Sequence, residues 1–186
     1  LEAKGYSLTK IELENFYPSN KDLLAHLKVH KTKKRLLNEI VINGYKNFPK
    51  SHQKIIDKKF LNKTFNKENL EQLRKEYENF RFINQTKSPE ILFTTDSTKT
   101  YVYLEKSNNN TFDGYIGFTN DNEESSKIQF NGYLDISLTN LLNTGELFKI
   151  YWKNDGKQQS TFDATLELPY VFNSKIGVRG NLNIFK

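Results

Sequence analysis

The sequence predicts an α+β unit, ordered strand–helix–helix–strand–strand, followed by five antiparallel strands of alternating pattern, which suit either the wall of a transmembrane β-barrel or a soluble sheet with one buried face. Three observations predict it. Residues 1–106 carry 21 Lys/Arg against 13 Asp/Glu, whereas residues 107–186 carry 7 against 9, so all of the net charge of +6 belongs to the first part. Two stretches of helical period fall inside that basic part. Five strictly alternating runs fill the rest. An aromatic content of 13% argues against long disorder, since disordered chains lack aromatics. No apolar run is long enough for a membrane-spanning helix, but a barrel keeps hydropathy low by alternating its residues.

The chain holds no Cys, which excludes thiolate metal sites, a Cys nucleophile and disulfides. It also holds no Met and begins at Leu1, so it reads as a processed chain or an internal fragment.

In the first part, residues 6–14 (Tyr6, Leu8, Ile11, Leu13) and 23–29 (Leu23, Ala25, Leu27, Val29) alternate on either side of Tyr17-Pro18-Ser19-Asn20, a turn cluster. They predict a hairpin, which is marginal alone and wants completion from upstream. Residues 36–42 predict a further strand ending at Asn43-Gly44. Pro49 then suits a first helical turn, and Ile55, Ile56 and Phe60 line one face over 50–61. Asn66 is a good N-cap for a second helix over 67–80, striped by Leu70, Leu73, Tyr77 and Phe80. Pro89 opens a short strand formed by Glu90, Ile91, Leu92, Phe93 and Thr94. Residues 98–105 form another.

In the second part the alternating positions are Phe112, Gly114, Ile116, Phe118; then Ile128 to Leu138; Phe148, Ile150, Trp152; Phe162 to Leu168; and Ile176 to Ile184. These runs have about the length that a tilted strand needs to cross a bilayer. Turn residues bound them, at 120–125, 140–145, 154–156 and 173–174, and aromatics gather near their ends (Tyr133, Tyr151, Trp152, Tyr170, Phe172, Phe185). A soluble sheet with one buried face alternates in the same way. A membrane barrel needs about eight strands or more, so on the barrel reading further strands are expected after Lys186.

Candidate chemistry is sparse. His26 and His30 are four apart but fall on a strand and its end, and read as surface histidines. His52, near a helix start, reads as exposed. Asp121, Glu123 and Glu124 read as a solvated loop rather than a cation site. Ser125, Ser126 and Ser160 lack the glycine frame of a nucleophile elbow. Gly177-Val178-Arg179-Gly180 is strand rather than a phosphate-binding loop. The basic run at Lys31, Lys33, Lys34 and Arg35 suits nucleic acid or lipid headgroups, but reads first as a solvated turn. No catalytic residue, metal or cofactor is expected, and no nucleic-acid partner.

The order of these elements resembles a known family. Residues 36–105, with Ile40-Val41-Ile42-Asn43-Gly44 before two helices and two strands, resemble a POTRA domain. The join from Val102-Tyr103-Leu104-Glu105-Lys106 to Asn110-Thr111-Phe112-Asp113-Gly114-Tyr115-Ile116-Gly117 resembles the passage from the last POTRA domain into the first barrel strand of BamA/TamA-type outer-membrane assembly factors. The stretch Gly132-Tyr133-Leu134-Asp135 to Asn143-Thr144-Gly145-Glu146 is similar to that family's second strand and turn. The resemblance implies three segments: 1–32 as the tail hairpin of a preceding POTRA domain, 33–107 as the last POTRA domain, and 108–186 as the first five strands of an incomplete barrel. The family's Val/Ile-Arg-Gly-aromatic loop lies late in its barrel. Val178-Arg179-Gly180-Asn181 has Asn in the aromatic position and falls too early, so that role is not assigned.

The resemblance further implies a non-enzymatic factor that assembles and inserts outer-membrane β-barrel proteins. It would lie in a bacterial outer membrane with its N-terminal part in the periplasm. Its partners would be unfolded outer-membrane clients, periplasmic or lipoprotein accessory subunits, and outer-membrane lipid. The first barrel strand (Phe112, Gly114, Ile116, Gly117, Phe118) would form a lateral gate that pairs with incoming strands, weakened by its glycines. Glu90, Ile91, Leu92, Phe93 and Thr94 would offer a second edge strand. The alternatives are a two-partner secretion translocator or a patatin-type barrel protein of the same superfamily, or a soluble α+β binding module.

Overall fold

A computed structural model describes residues 1–120, 128–156 and 159–186. Asp121, Glu123, Glu124, Ser125 and Ser126 lie outside the described residues, as does most of the turn expected at 120–125. In chain order the elements are β1 (Lys10–Ser19), β2 (Asp22–His30), β3 (Glu39–Asn43), α1 (Lys50–Phe60), α2 (Lys67–Glu78), β4 (Ile83–Phe93), β5 (Thr98–Lys106), β6 (Thr111–Asn120), β7 (Ile128–Thr139), β8 (Leu147–Asn154), β9 (Ser160–Leu168) and β10 (Val178–Phe185). A single 3-10 turn, Glu2–Lys4, precedes β1. Among the described residues, no helix is long and apolar enough to cross a membrane.

The chain forms two compact units from interleaved segments. The first contains Leu1–Gly44, Ile56–Asn79 and Gln85–Tyr103; the second contains Tyr45–Ile55, Phe80–Asn84 and Leu104–Lys186. The break in charge composition near Ser107 falls just after Leu104, where the chain enters the second unit for good.

In the first unit, β1 and β2 pair antiparallel as a sheet of their own. Ile11 faces Val29 and Leu13 faces Leu27, while Glu12 faces Lys28 and Glu14 faces His26. Opposed charges therefore share one side of the ribbon and aliphatics the other. The register shifts after Glu14, where Asn15 takes a left-handed backbone, φ 55°. A second sheet has the order β3-β5-β4, with β3 and β5 parallel. Parallel neighbours cannot be joined by a tight turn, and here α1, α2 and β4 intervene between them. Ile56 and Phe60 of α1, Leu73 and Tyr77 of α2, Leu37, Phe65 and Val102 are buried and form the unit's core. Asn66 caps α2 as its sequence position predicts: its Oδ1 accepts the Asn69 N–H at 2.8 Å, and its Nδ2 donates to the Ala3 carbonyl at 3.0 Å.

In the second unit, β6 to β10 form one antiparallel sheet in sequential order. The registers Phe112↔Ile136, Ile136↔Ile150, Ile150↔Ala164 and Ala164↔Leu182 run an apolar row across all five strands. The adjacent row, Asp113↔Asp135, Asp135↔Tyr151, Tyr151↔Asp163 and Asp163↔Asn183, is polar. Successive side chains point to opposite faces, so one face is aliphatic and aromatic and the other carries the charges.

The expected fold class, an α+β POTRA domain followed by the first strands of a barrel, is corrected. The chain is mostly antiparallel β, 52% strand against 17% helix, in three sheets of which none is closed, and a POTRA helix–strand arrangement is not shown. Strand content was underestimated for a physical reason. Pro89 does not open a short strand but sits inside β4, which runs through Ile83–Phe93. Proline lacks the N–H that a ladder needs, and it is tolerated here because β4 is an outer strand. Pro18 sits inside β1 in the same manner, in a sheet with no central strand. Conversely, the expected strand over 36–42 shortens to β3, because Leu36 forms only an isolated bridge with Thr64.

Leu73 is fully buried on α2. Leu73→Ala is predicted to lower unfolding stability by about 2–5 kcal/mol, through lost burial plus the cavity left behind. Chemical denaturation followed by the helical circular-dichroism signal measures it. An unchanged midpoint would show that α2 does not carry the core.

Candidate functional site

β6 is an outer strand of its sheet, and among the described residues its only strand neighbour is β7. Phe112, Gly114, Ile116, Gly117 and Phe118 all lie in it. The direction of its backbone groups follows from the packing of two glycines. A Cβ on Gly132 would lie 2.1 Å from the carbonyl oxygen of Tyr115, and one on Gly114 would lie 2.5 Å from that of Tyr133. Both carbonyls therefore point across the β6–β7 seam, from residues that face each other in the register. Backbone direction alternates along a strand, so Asp113, Tyr115 and Gly117 bond to β7. Phe112, Gly114, Ile116 and Phe118 turn their N–H and C=O groups to the open side.

These outward-bonding positions also place their side chains on the apolar face, where Phe112, Ile116 and Phe118 are exposed. The other face of the seam is tied down. Tyr115 and Tyr133 meet edge to face with centroids 5.2 Å apart, and the Tyr133 hydroxyl donates to Asp113 Oδ2 at 2.9 Å. Gly114 thus has a role beyond interrupting side-chain packing. It and Gly132 let the two backbones approach, so β6 is held to β7, while among the described residues no strand pairs with its far side. At the opposite edge, β10 is bound to β9 through Asn181 Nδ2–Thr165 Oγ1 at 2.8 Å and Arg179–Glu167 at 3.3 Å.

The second expected edge lies in β4. Glu90, Ile91, Leu92 and Phe93 belong to this outer strand, and Thr94 falls just beyond it, where its hydroxyl accepts the Ser97 N–H at 3.0 Å. Pro89 and the Lys87–Glu90 ion pair at 2.6 Å sit on this strand. Proline and charge are the usual means of blunting an edge. The two candidate edges therefore differ: the outward-bonding positions of β6 are apolar and free of proline, whereas β4 is guarded.

The sequence reading missed a cluster in the second unit. His52, expected exposed, is only 2% exposed. α1 begins at Lys50, directly after Pro49, and His52 lies on its inward side. It meets Tyr170, Phe80 and Phe82 edge to face at 4.6, 4.8 and 5.1 Å. Gly145 covers it: a Cβ there would lie 2.1 Å from His52 Cε1, and its φ of +80° suits glycine. Beside it the turn at 140–146 is tightly bonded. Asn140 Nδ2 donates to the Tyr45 hydroxyl at 2.8 Å, and that hydroxyl donates to Asn143 Oδ1 at 2.9 Å. Lys106 Nζ donates to the Asn140 carbonyl at 3.0 Å, and Thr139 N–H to Asn110 Oδ1 at 2.9 Å. Glu146 is buried. Burial works against its charge, but the Thr144 hydroxyl at 2.6 Å and the Leu142 N–H at 2.6 Å hold its carboxyl below the usual range. The Asn-x-x-Asn-x-Gly spacing at 140–145 was the available signal, since Asn and Gly both accept left-handed turns.

Among the described residues, no group of three or more His, Asp or Glu stands close enough to hold a metal ion. His26 and His30 lie on β2, with His30 paired to Glu12 at 3.0 Å.

Burial depresses the His52 pKa from 6.5 to about 4. The unfolded chain therefore takes up a proton that the folded chain refuses. This contribution to stability is fully present above about pH 6.5 and is lost as pH falls towards 4, by up to about 3 kcal/mol. Melting temperature is predicted to fall between pH 7 and pH 4.5, and His52→Leu is predicted to flatten that slope. Identical slopes would contradict a buried neutral His52.

No protein-family model matches the chain, and no curated protein matches it. Among solved structures it is similar to BamA from Haemophilus ducreyi lacking POTRA domains 1–3, at 12% identity and a TM-score of 0.66, over 99% of this chain and 34% of that one. It is also similar to CdiB from Escherichia coli, at 19% identity and a TM-score of 0.44, over 97% of this chain and 32% of that one; that looser likeness bears no weight. The chain spans about a third of the length of either structure. What it shares with BamA at this identity is the fold of the matched part, about a third of that chain.

Proposed function

We propose that the protein acts in outer-membrane β-barrel assembly, with β6 as a lateral edge that pairs with incoming strands and the five-stranded sheet as a stretch of barrel wall. The observation that carries this reading is the coincidence at Phe112, Gly114, Ile116 and Phe118 of unpaired backbone groups and exposed apolar side chains on one strand. The fold shared with BamA supports it. A free edge offers hydrogen bonds in register, and the side chains beside it offer an apolar surface, which together accept a strand of alternating sequence.

On this reading the apolar face meets outer-membrane lipid and the polar face meets water. The partners are unfolded barrel clients and periplasmic or lipoprotein accessory subunits, and the N-terminal part lies in the periplasm. The work needs no catalytic residue and no cofactor: backbone bonds made by the client supply the free energy, each worth about 1 kcal/mol net. The guarded β4 edge, with Glu90 to Phe93, serves as a weaker docking strand.

Ile116→Pro removes one outward N–H while leaving the β7-facing residues unchanged. It is predicted to slow client insertion roughly fivefold or more, the equivalent of about one net hydrogen bond. The assay is insertion of an unfolded barrel client into vesicles holding the full-length protein. Insertion at the unmodified rate would overturn the gate.

A further inference from the structure

The end of the sheet at which β6 begins carries two turns, residues 140–146 between β7 and β8 and residues 169–177 between β9 and β10. Both are rigid. In the first, Asn140 N–H bonds the Glu146 carbonyl at 2.7 Å, and Gly145 N–H bonds Asn140 Oδ1 at 2.8 Å. In the second, Val171 N–H bonds the Ile176 carbonyl at 2.8 Å, and the Ser174 hydroxyl bonds the Val171 carbonyl at 2.7 Å. Both rest on His52, through Gly145 and Tyr170. Both also hold left-handed backbones at non-glycine residues: Asn140, Asn143, Tyr170, Phe172 and Asn173. For Tyr and Phe such a backbone is unfavourable and persists only when the surroundings impose it.

Large apolar side chains stand out from these turns. Leu142 is 72% exposed and Phe172 is 94% exposed, and Leu141 and Ile176 are exposed beside them. The only carboxylate in either turn, Glu146, is buried and engaged by its own turn. The exposed cation Lys175 stands between Phe172 and Ile176 in sequence. The apolar face of the sheet runs up to these turns through Leu168 and Val178, which face each other in the register and are themselves exposed.

We propose that the two turns form an interfacial anchor. Leu141, Leu142, Phe172 and Ile176 enter the headgroup–acyl boundary of a phospholipid bilayer, with Lys175 directed to lipid phosphate. Exposed aromatic and aliphatic tips beside a cation, with no free carboxylate, match the chemistry of that boundary. The continuity of the tips with the apolar face favours lipid over a protein partner. The anchor rests on reading that face as lipid-facing. It adds a function for the strained turns: fixing the depth of the sheet, and so the level at which the β6 edge opens.

Residues 1–186 hold no cysteine, so each label introduced among them is single once any cysteine elsewhere in the full-length protein is replaced by serine. Leu142→Cys, Phe172→Cys and Ile116→Cys each receive an environment-sensitive fluorophore, and the full-length protein is reconstituted into phosphatidylethanolamine–phosphatidylglycerol vesicles. Spin-labelled lipids quench at shallow or deep positions. The anchor predicts that labels at 142 and 172 lose most of their fluorescence to the shallow quencher and little to the deep one, while 116 is quenched by both. Unquenched labels at 142 and 172 beside a quenched 116 would overturn the anchor, leave the tips to a protein partner and spare the lipid-facing reading. Labels unquenched at all three positions would overturn both.

Discussion

Backbone pairing at the edge of a sheet governs how the second unit can work. Among the described residues, β7, β8 and β9 each have a hydrogen-bonded strand on both sides, and β6 has one on a single side. In water such an edge is an aggregation hazard; in hydrocarbon an unpaired backbone group costs several kcal/mol. Natural sheets guard exposed edges with proline and charge, as β4 does with Pro89 and the Lys87–Glu90 pair. β6 does neither. It also faces its open side with the same residues that carry its apolar side chains. An edge left unguarded in this way is suited to acquiring a partner strand.

A receptive edge must not itself peel away. Gly114 and Gly132 permit close approach of β6 and β7, and the Tyr115–Tyr133 contact and the Tyr133–Asp113 bond fasten the polar side of the seam. The root of β6 is held as well. Asn110 accepts from Thr139, and Lys106 donates to the carbonyl of Asn140. Around that root, His52 and Glu146 are buried and immobilised. Rigid support below a strand with an open side keeps the acceptor in register without a moving part.

Much of this was legible in residue patterns, because period and cap chemistry are local. The alternation from Phe112 to Ile184 placed the five strands of the second sheet, with β10 starting at Val178 rather than Ile176. Asn66 and the Leu73–Tyr77 spacing located α2. What failed depended on neighbours distant in sequence. Pro89 reads locally as a boundary, and only its place on an outer strand lets β4 run through it. His52 reads as a polar residue at a helix start, and only Phe80, Phe82, Gly145 and Tyr170 bury it. The glycines of β6 and β7 look like weak points until their partners across the seam are known. The expected α+β POTRA class failed for the same reason, since element order does not say how much strand surrounds two helices.

On the proposed function, clients pair with β6 and not with the apolar face at large. Photo-crosslinking from Ile116 and from Ile150 separates the two, since both lie on that face and only Ile116 belongs to the open edge. With a photo-activatable residue at each position in turn and a stalled client present, adducts to the client are expected from position 116 and not from 150. Equal adducts from both positions, or none from 116 while the client inserts normally, would contradict the account.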